Sequence, residues 1–124
     1  MGLSPGFRDY LSDLFVAFGA VGIRMMFGGA GVFADGVMFA ILIEDTLYLK
    51  ADAEFARDFA AEGKAAFVYR RSNGKAVALS YWQAPERLID DPHELAAWAR
   101  RSLAIAKTAN STAKPKRART SRAG

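Results

Sequence analysis

The chain has 124 residues, 52% of them hydrophobic, with nine Phe, four Tyr and two Trp, enough apolar bulk for one domain with its own core. It has no cysteine, which excludes disulfide frameworks, thiolate nucleophiles and thiolate metal sites. The net charge of +4 is unevenly placed: Lys114, Lys116, Arg117, Arg119 and Arg122 stand together without an acid, and without those five, twelve of the 17 basic residues face 13 acidic ones. The N-terminus carries Asp9 and Asp13 where a signal peptide needs a basic start and a long apolar run. Val37 to Ile43, the longest apolar run, is far too short to cross a bilayer. These features predict a cytoplasmic protein with no membrane segment.

The first predicted element is a helix in "SPGFRDYLSDLFVAFG". Ser4 can cap it, and Pro5 suits a first-turn position whose N–H is unpaired anyway. Phe7, Tyr10, Leu11, Leu14, Phe15 and Phe18 recur at helical spacing, and Gly19 and Gly22 end the pattern. Strands are predicted over Val21 to Phe27 and Gly31 to Ala34. Asp35-Gly36 then gives a two-residue hairpin turn that needs positive φ at both positions. Val37 to Ile43 is apolar on both faces and predicts a central strand. Glu44-Asp45 turns the chain into Thr46 to Lys50, whose alternation predicts one wet face.

Asp52 caps a short helix in "DAEFARDFAAEG", with Phe55 and Phe59 one turn apart and Gly63 just past its end. Ala66 to Arg71 and Lys75 to Trp82 flank Asn73-Gly74, the strongest hairpin turn in the chain, and Pro85 ends that pattern. Asp91-Pro92-His93-Glu94 opens a last helix with an acidic cap, a first-turn proline and a capping-box Glu. Leu95, Trp98, Ala99, Ser102 and Ala106 form its inner face. From 110 to 124 no large apolar residue occurs, which predicts a disordered basic tail after a domain of residues 1–109. The order helix, strands, helix, hairpin, helix predicts an α+β fold with a mainly antiparallel sheet and the helices packed on one face.

The glycine-dense stretch "RMMFGGAGVFADGVMFA" is the one segment that invites a phosphate-loop reading. Gly28, Gly29 and Gly31 fit neither GxxxxGK[ST] nor GxGxxG, and a strand follows them where a phosphate loop needs a helix N-terminus. Strand geometry accounts for them better. Gly28-Gly29 can supply a positive-φ turn or bulge, Gly31 a close approach, and Gly36 the turn with Asp35.

"RMMFGGAGVFADGVMFAILIEDTLYLKAD", the "FVYRR" strand and "LSYWQAPERLIDDPHELAAWARRSLAIA" together resemble the TfoX N-terminal domain family, small proteins named after a bacterial competence regulator. The resemblance spans residues 7–107 and rests on several separated motifs in order. It implies an α+β domain with a mainly antiparallel sheet and a role in transcription regulation. It implies no catalytic residues, and it carries over Arg24, Met25, Phe27, Gly28, Gly29, Gly31, Asp35 and Gly36 as signature positions. Full-length competence regulators also carry a second, helical domain, which the resemblance does not reach.

Candidate sites are few. Arg24, on an apolar strand, can recognise a carboxylate or phosphate, or pair with a nearby acid. Met25, Met26 and Met38 are expected to fill core gaps. His93 is the only histidine and is expected to be an exposed polar residue, so neither a metal site nor a triad is predicted. The carboxylate pairs Glu44-Asp45 and Asp90-Asp91 are assigned to a turn and a helix cap. Tyr48, Tyr69, Tyr81 and Trp82 lie on predicted strands near Arg70 and Arg71, where they can stack bases or pack across strands. The tail residues Lys114, Lys116, Arg117, Arg119 and Arg122 can contact nucleic acid without reading its sequence.

The expectation is a non-enzymatic regulatory or adaptor protein with a protein partner, no cofactor and weak polyanion affinity from its tail. A direct DNA-binding transcription accessory is the alternative. A small-molecule-binding or catalytic domain with a pocket beside the glycine bend is the third reading.

Overall fold

The computed structural model describes residues 7–26, 29–70, 72–74 and 76–119, with side chains described for 9–25, 29–68, 72–74 and 80–109. The elements in chain order are α1 (Phe7–Leu14), β1 (Gly22–Met26), β2 (Gly29–Ala34), β3 (Val37–Ile43), β4 (Thr46–Lys50), α2 (Ala53–Ala61), β5 (Ala66–Arg70), β6 (Ala76–Gln83), a 3-10 helix (Glu86–Asp90) and α3 (Pro92–Arg119). The strands form one six-stranded sheet in the order β1-β2-β3-β4-β6-β5, antiparallel at every pairing. The expected α+β class is the observed one.

Local chemistry sets most boundaries. Asp35 and Gly36 turn β2 into β3 with φ of 52° and 82°, the left-handed pair such a hairpin requires. The Asp52 carboxylate accepts from the Phe55 amide at 2.8 Å and starts α2. The Asp91 carboxylate accepts from the Glu94 amide at 3.2 Å and starts α3. Helix α1 stops sooner than its sequence pattern suggests. The Phe15 carbonyl accepts from both Phe18 and Gly19, closing the chain into a turn that still sends Phe15 and Phe18 inward. The expected caps of α1, Ser4 and Pro5, lie outside the described residues.

β4 and β5 both run antiparallel to β6, so they are parallel to each other, and α2 carries the chain from one to the other. The hairpin then brings β6 back between them. In register, Ile23, Val32, Ala40, Leu49 and Trp82 make one row across five strands. This row faces the helices. Leu11 and Phe15, Phe55 and Phe59 of α2, and Leu95, Ala99 and Ala106 of α3 share one buried cluster with Val32, Ala40, Leu42, Leu47 and Leu49. Ring contacts join the layers, Phe15 to Phe39 at 5.7 Å and Phe59 to Trp82 at 6.2 Å, while Phe59 to Trp98 at 5.0 Å joins α2 to α3.

Bulging occurs where the sequence did not point. Val32 pairs with Ala40 and Phe33 with Met38, leaving Phe39 as the extra residue. The consecutive residues Phe39 and Ala40 consequently both reach the core. Gly29, expected in a positive-φ turn or bulge, lies inside β2 and is not among the positive-φ glycines. Its requirement is space: a Cβ there would run into the Leu42 carbonyl oxygen of β3.

The backbone of α3 is helical beyond Ala109 and on to Arg119, although Pro115 lacks the N–H that an interior helical residue donates. Among the described residues, no helix is long and apolar enough to cross a membrane.

Candidate interaction surface

Strand alternation puts the neighbouring row on the opposite face of the sheet. Arg24, Gly31, Ile41, Tyr48 and Gln83 are partners in register from β1 to β6. Phe33, Met38, Lys50 and Tyr81 flank this row, and Phe67 packs edge-on against Tyr48 at 5.1 Å. The buried cluster that contains helix residues lies on the other side. The second face is thus apolar along its middle, and its side chains shade one another: Ile41 is 6% exposed, while Phe33, Met38, Tyr48 and Phe67 are half-buried. Helix α3 borders one corner, where Ala106 and Ala109 line a cleft of about 350 Å³ with Met38, Lys50 and Tyr81.

Among the described residues, two cations stand on this face. The exposed Arg24 guanidinium lies 5.5 Å from the centre of the Phe33 ring. The Lys50 ammonium donates to the Ser80 hydroxyl at 2.6 Å and sits 5.2 Å from the centre of the Tyr81 ring. Neither has a carboxylate partner among the described residues. Partial burial lowers the Lys50 ammonium from its ordinary value. Burial raises the phenols of this face, Tyr81 up to about 12, and Tyr48 is raised by burial and then by the nearby Glu44 carboxylate.

The helix-covered side contrasts with it. Lys64 pairs with Glu86 at 2.6 Å, Arg87 with Glu62 and Glu94 at 2.6 and 2.7 Å, and Arg101 with Asp58 at 3.1 Å. Lys107 on α3 pairs with Asp35 at 2.7 Å, fastening the β2–β3 turn to the last helix.

The signature positions separate by role. Asp35 and Gly36 make the turn, Gly29 permits the close approach of β3, and Gly31 is the buried gap between Arg24 and Ile41. Met25 was expected to fill the core, yet it is 43% exposed, because β1 is an edge strand with a neighbour on one side only. Phe27 and Gly28 lie outside the described residues, as does Arg122 entirely. The side chains of Met26, Tyr69, Arg70, Lys114, Lys116, Arg117 and Arg119 lie outside them as well. His93 is exposed in the first turn of α3. No cluster of His, Cys, Asp or Glu able to hold a metal occurs among the described residues.

Sequence reasoning found Arg24 but not the Phe33 ring beneath it, nor Lys50 beside Tyr81. Their grouping depends on strand order and on the shift in register at Phe39, and neither leaves a local mark.

The model of the TfoX N-terminal domain matches residues 13–106, which take in the sheet, both faces and the start of α3. No curated protein matches the sequence. With most of its length covered by that one match, the chain belongs to the TfoX N-terminal domain family.

Proposed function

We propose that this protein is a non-enzymatic regulatory or adaptor protein of the competence-regulator type, working in the cytoplasm through protein contacts. The carrying observation is the sheet face opposite the helical layer, bordered by α3 at one corner: its apolar middle, and an Arg24 and Lys50 without a carboxylate partner among the described residues, suit a macromolecular contact better than a reaction. Membership of the TfoX N-terminal domain family supports a part in transcription regulation. The folded unit is residues 1–109. Residues 110–124 form a basic arm that continues the α3 backbone as far as Arg119, and its Lys114, Lys116, Arg117, Arg119 and Arg122 lend weak affinity for nucleic acid without sequence choice.

The second reading is a protein that binds DNA directly as an accessory to transcription, and the segregated charge of the arm favours it. Mobility shifts of the full chain and of residues 1–109 at two salt concentrations separate the two. If all five arm cations meet phosphates, log K falls against log salt with a slope of about −4.5. Affinity then drops up to a few hundred-fold between about 50 and 200 mM salt. Loss of every shift on truncation fits the electrostatic arm. Salt-resistant binding by residues 1–109 would overturn the adaptor reading in favour of dedicated DNA recognition.

A further inference from the structure

We infer that the open sheet face is the docking site for an acidic amphipathic helix of a partner protein, an inference that rests on the protein-contact reading above. Among the described residues the helices pack on one face of the sheet and α3 reaches only a corner of the other, where Phe33, Met38, Ile41, Ile43, Tyr48 and Phe67 present apolar side chains. A second helical layer is the ordinary way such a face is covered. An extended segment laid flat on it would find the backbone groups beneath already used in the ladder, whereas a helix brings its own hydrogen bonds with it.

Charge selects the acidic partner. Arg24 and Lys50 have no carboxylate among the described residues, and Arg24, on the edge strand, lies exposed over the Phe33 ring of β2. They stand three strand spacings apart and two residues out of row, about 16 Å between backbones, so a partner needs carboxylates at a matching separation. The chain's own basic arm is excluded as occupant by the same sign of charge.

Nucleobases fit less well, because stacking needs free ring faces. The Phe33 ring lies under the Arg24 guanidinium, Phe67 and Tyr48 pack on each other, and Tyr81 is 9% exposed with its hydroxyl committed to the Met38 carbonyl.

The test uses the full chain, isotope-labelled, and three probes: a synthetic helical peptide with leucines on one face and glutamates along its flanks, the same peptide with lysines for glutamates, and oligo-dT. The expected result is binding of the glutamate peptide alone, with amide shifts centred on Gly31, Ile41 and Tyr48. The double variant Arg24→Glu/Lys50→Glu weakens it by about tenfold or more. The milder Arg24→Gln/Lys50→Gln weakens it less, and Arg57→Glu on α2 leaves it unchanged. No binding, or equal binding of the lysine peptide, overturns the inference. Peptide shifts centred on another surface also overturn it while leaving the protein-contact reading standing. Salt-resistant oligo-dT binding on the open face sinks both. Concentration-dependent dimerisation that shifts the same amides without peptide makes a second copy the occupant, and the acidic helix is then wrong.

Discussion

The Tyr81 hydroxyl on β6 reaches past β4 and donates to the Met38 carbonyl oxygen on β3 at 3.1 Å. Met38 lies beyond Ala40–Leu49, the last β3–β4 register pair, so Tyr81 supplies a donor where the ladder has ended. Tyr81→Phe is expected to cost about 1 kcal/mol, read as a lower urea midpoint. The same residue sets an alkaline limit. Burial raises its phenol to about 12, so the folded state holds the proton more tightly than the unfolded chain. Its contribution is complete below the ordinary value of 10.0 and is lost as pH rises toward about 12. Urea midpoints of the Phe variant should therefore fall less steeply over that window than those of the parent protein.

Gly29 and Gly22 predict opposite outcomes for one and the same substitution. A methyl group at Gly29 would overlap the Leu42 carbonyl oxygen and press on Ile43 Cγ1 at 3.2 Å, where the obstacle is the backbone of the central strand. Gly29→Ala should destabilise the fold by at least about 2 kcal/mol. At Gly22 the nearest atoms belong to Phe33 at 3.9 Å, an ordinary contact. Gly22→Ala should lie within about 0.5 kcal/mol of the parent or improve on it, since glycine is a weak strand residue. Thermal unfolding of the pair decides the matter.

These residues also show how far the sequence could be read. The Asp35-Gly36 turn and the Asp52 and Asp91 caps were legible because each is a bargain among neighbours in the chain. Gly29 was legible as important and was misassigned, since the carbonyl that forbids a side chain there comes from a different strand. That one sheet face stays clear of the main helical layer followed from the expected fold, but which residues share it was not legible. Their grouping needs β6 to insert between β4 and β5, and Phe39 to slip the register so that Met38 and Ile41 fall on the side away from Phe39 and Ala40. Both are long-range facts of pairing.

Glu44 and Asp45 form the β3–β4 turn with φ of 49° and 61° and no glycine. Left-handed backbone is unfavourable for a glutamate in particular. Replacing the pair with Asn-Gly, which suits this geometry, should stabilise the protein by about 1 kcal/mol without moving the strands. A raised melting temperature with an unchanged amide spectrum away from the turn is the expected result.

Ser102 is fully buried on α3, in the same helix face as Ala99 and Ala106, and its hydroxyl oxygen has no hydrogen-bond partner among the described residues. A hydroxyl taken out of water without a partner costs more than the methyl it replaces, and alanine is also the better helix former. Ser102→Ala should raise stability by about 1 kcal/mol. An unchanged or lower urea midpoint would mean that the hydroxyl is satisfied.

Arg87 ties three elements together through charge. Its guanidinium donates from Nε and Nη2 to the two carboxylate oxygens of Glu62 at 2.9 and 2.6 Å, and from Nη1 to Glu94 at 2.7 Å. The 3-10 helix is thereby held to the end of α2 and the start of α3. The hydrogen bonds from Arg87 pull the Glu62 carboxyl below its ordinary value, with the Arg87 charge adding to them. A depressed carboxylate stabilises the fold above the unfolded value of 4.5, and that contribution disappears as pH falls through the folded value. Both partners are exposed to solvent, so the effect is modest and is screened by salt. Arg87→Gln should flatten the acid side of the curve of melting temperature against pH, and it should return the Glu62 carboxyl titration, followed by carbon chemical shift, toward the ordinary carboxylate range. If Glu62 titrates identically in both proteins, the bidentate pair does not persist in solution and Arg87 holds these elements through Glu94 and by lying over Trp98.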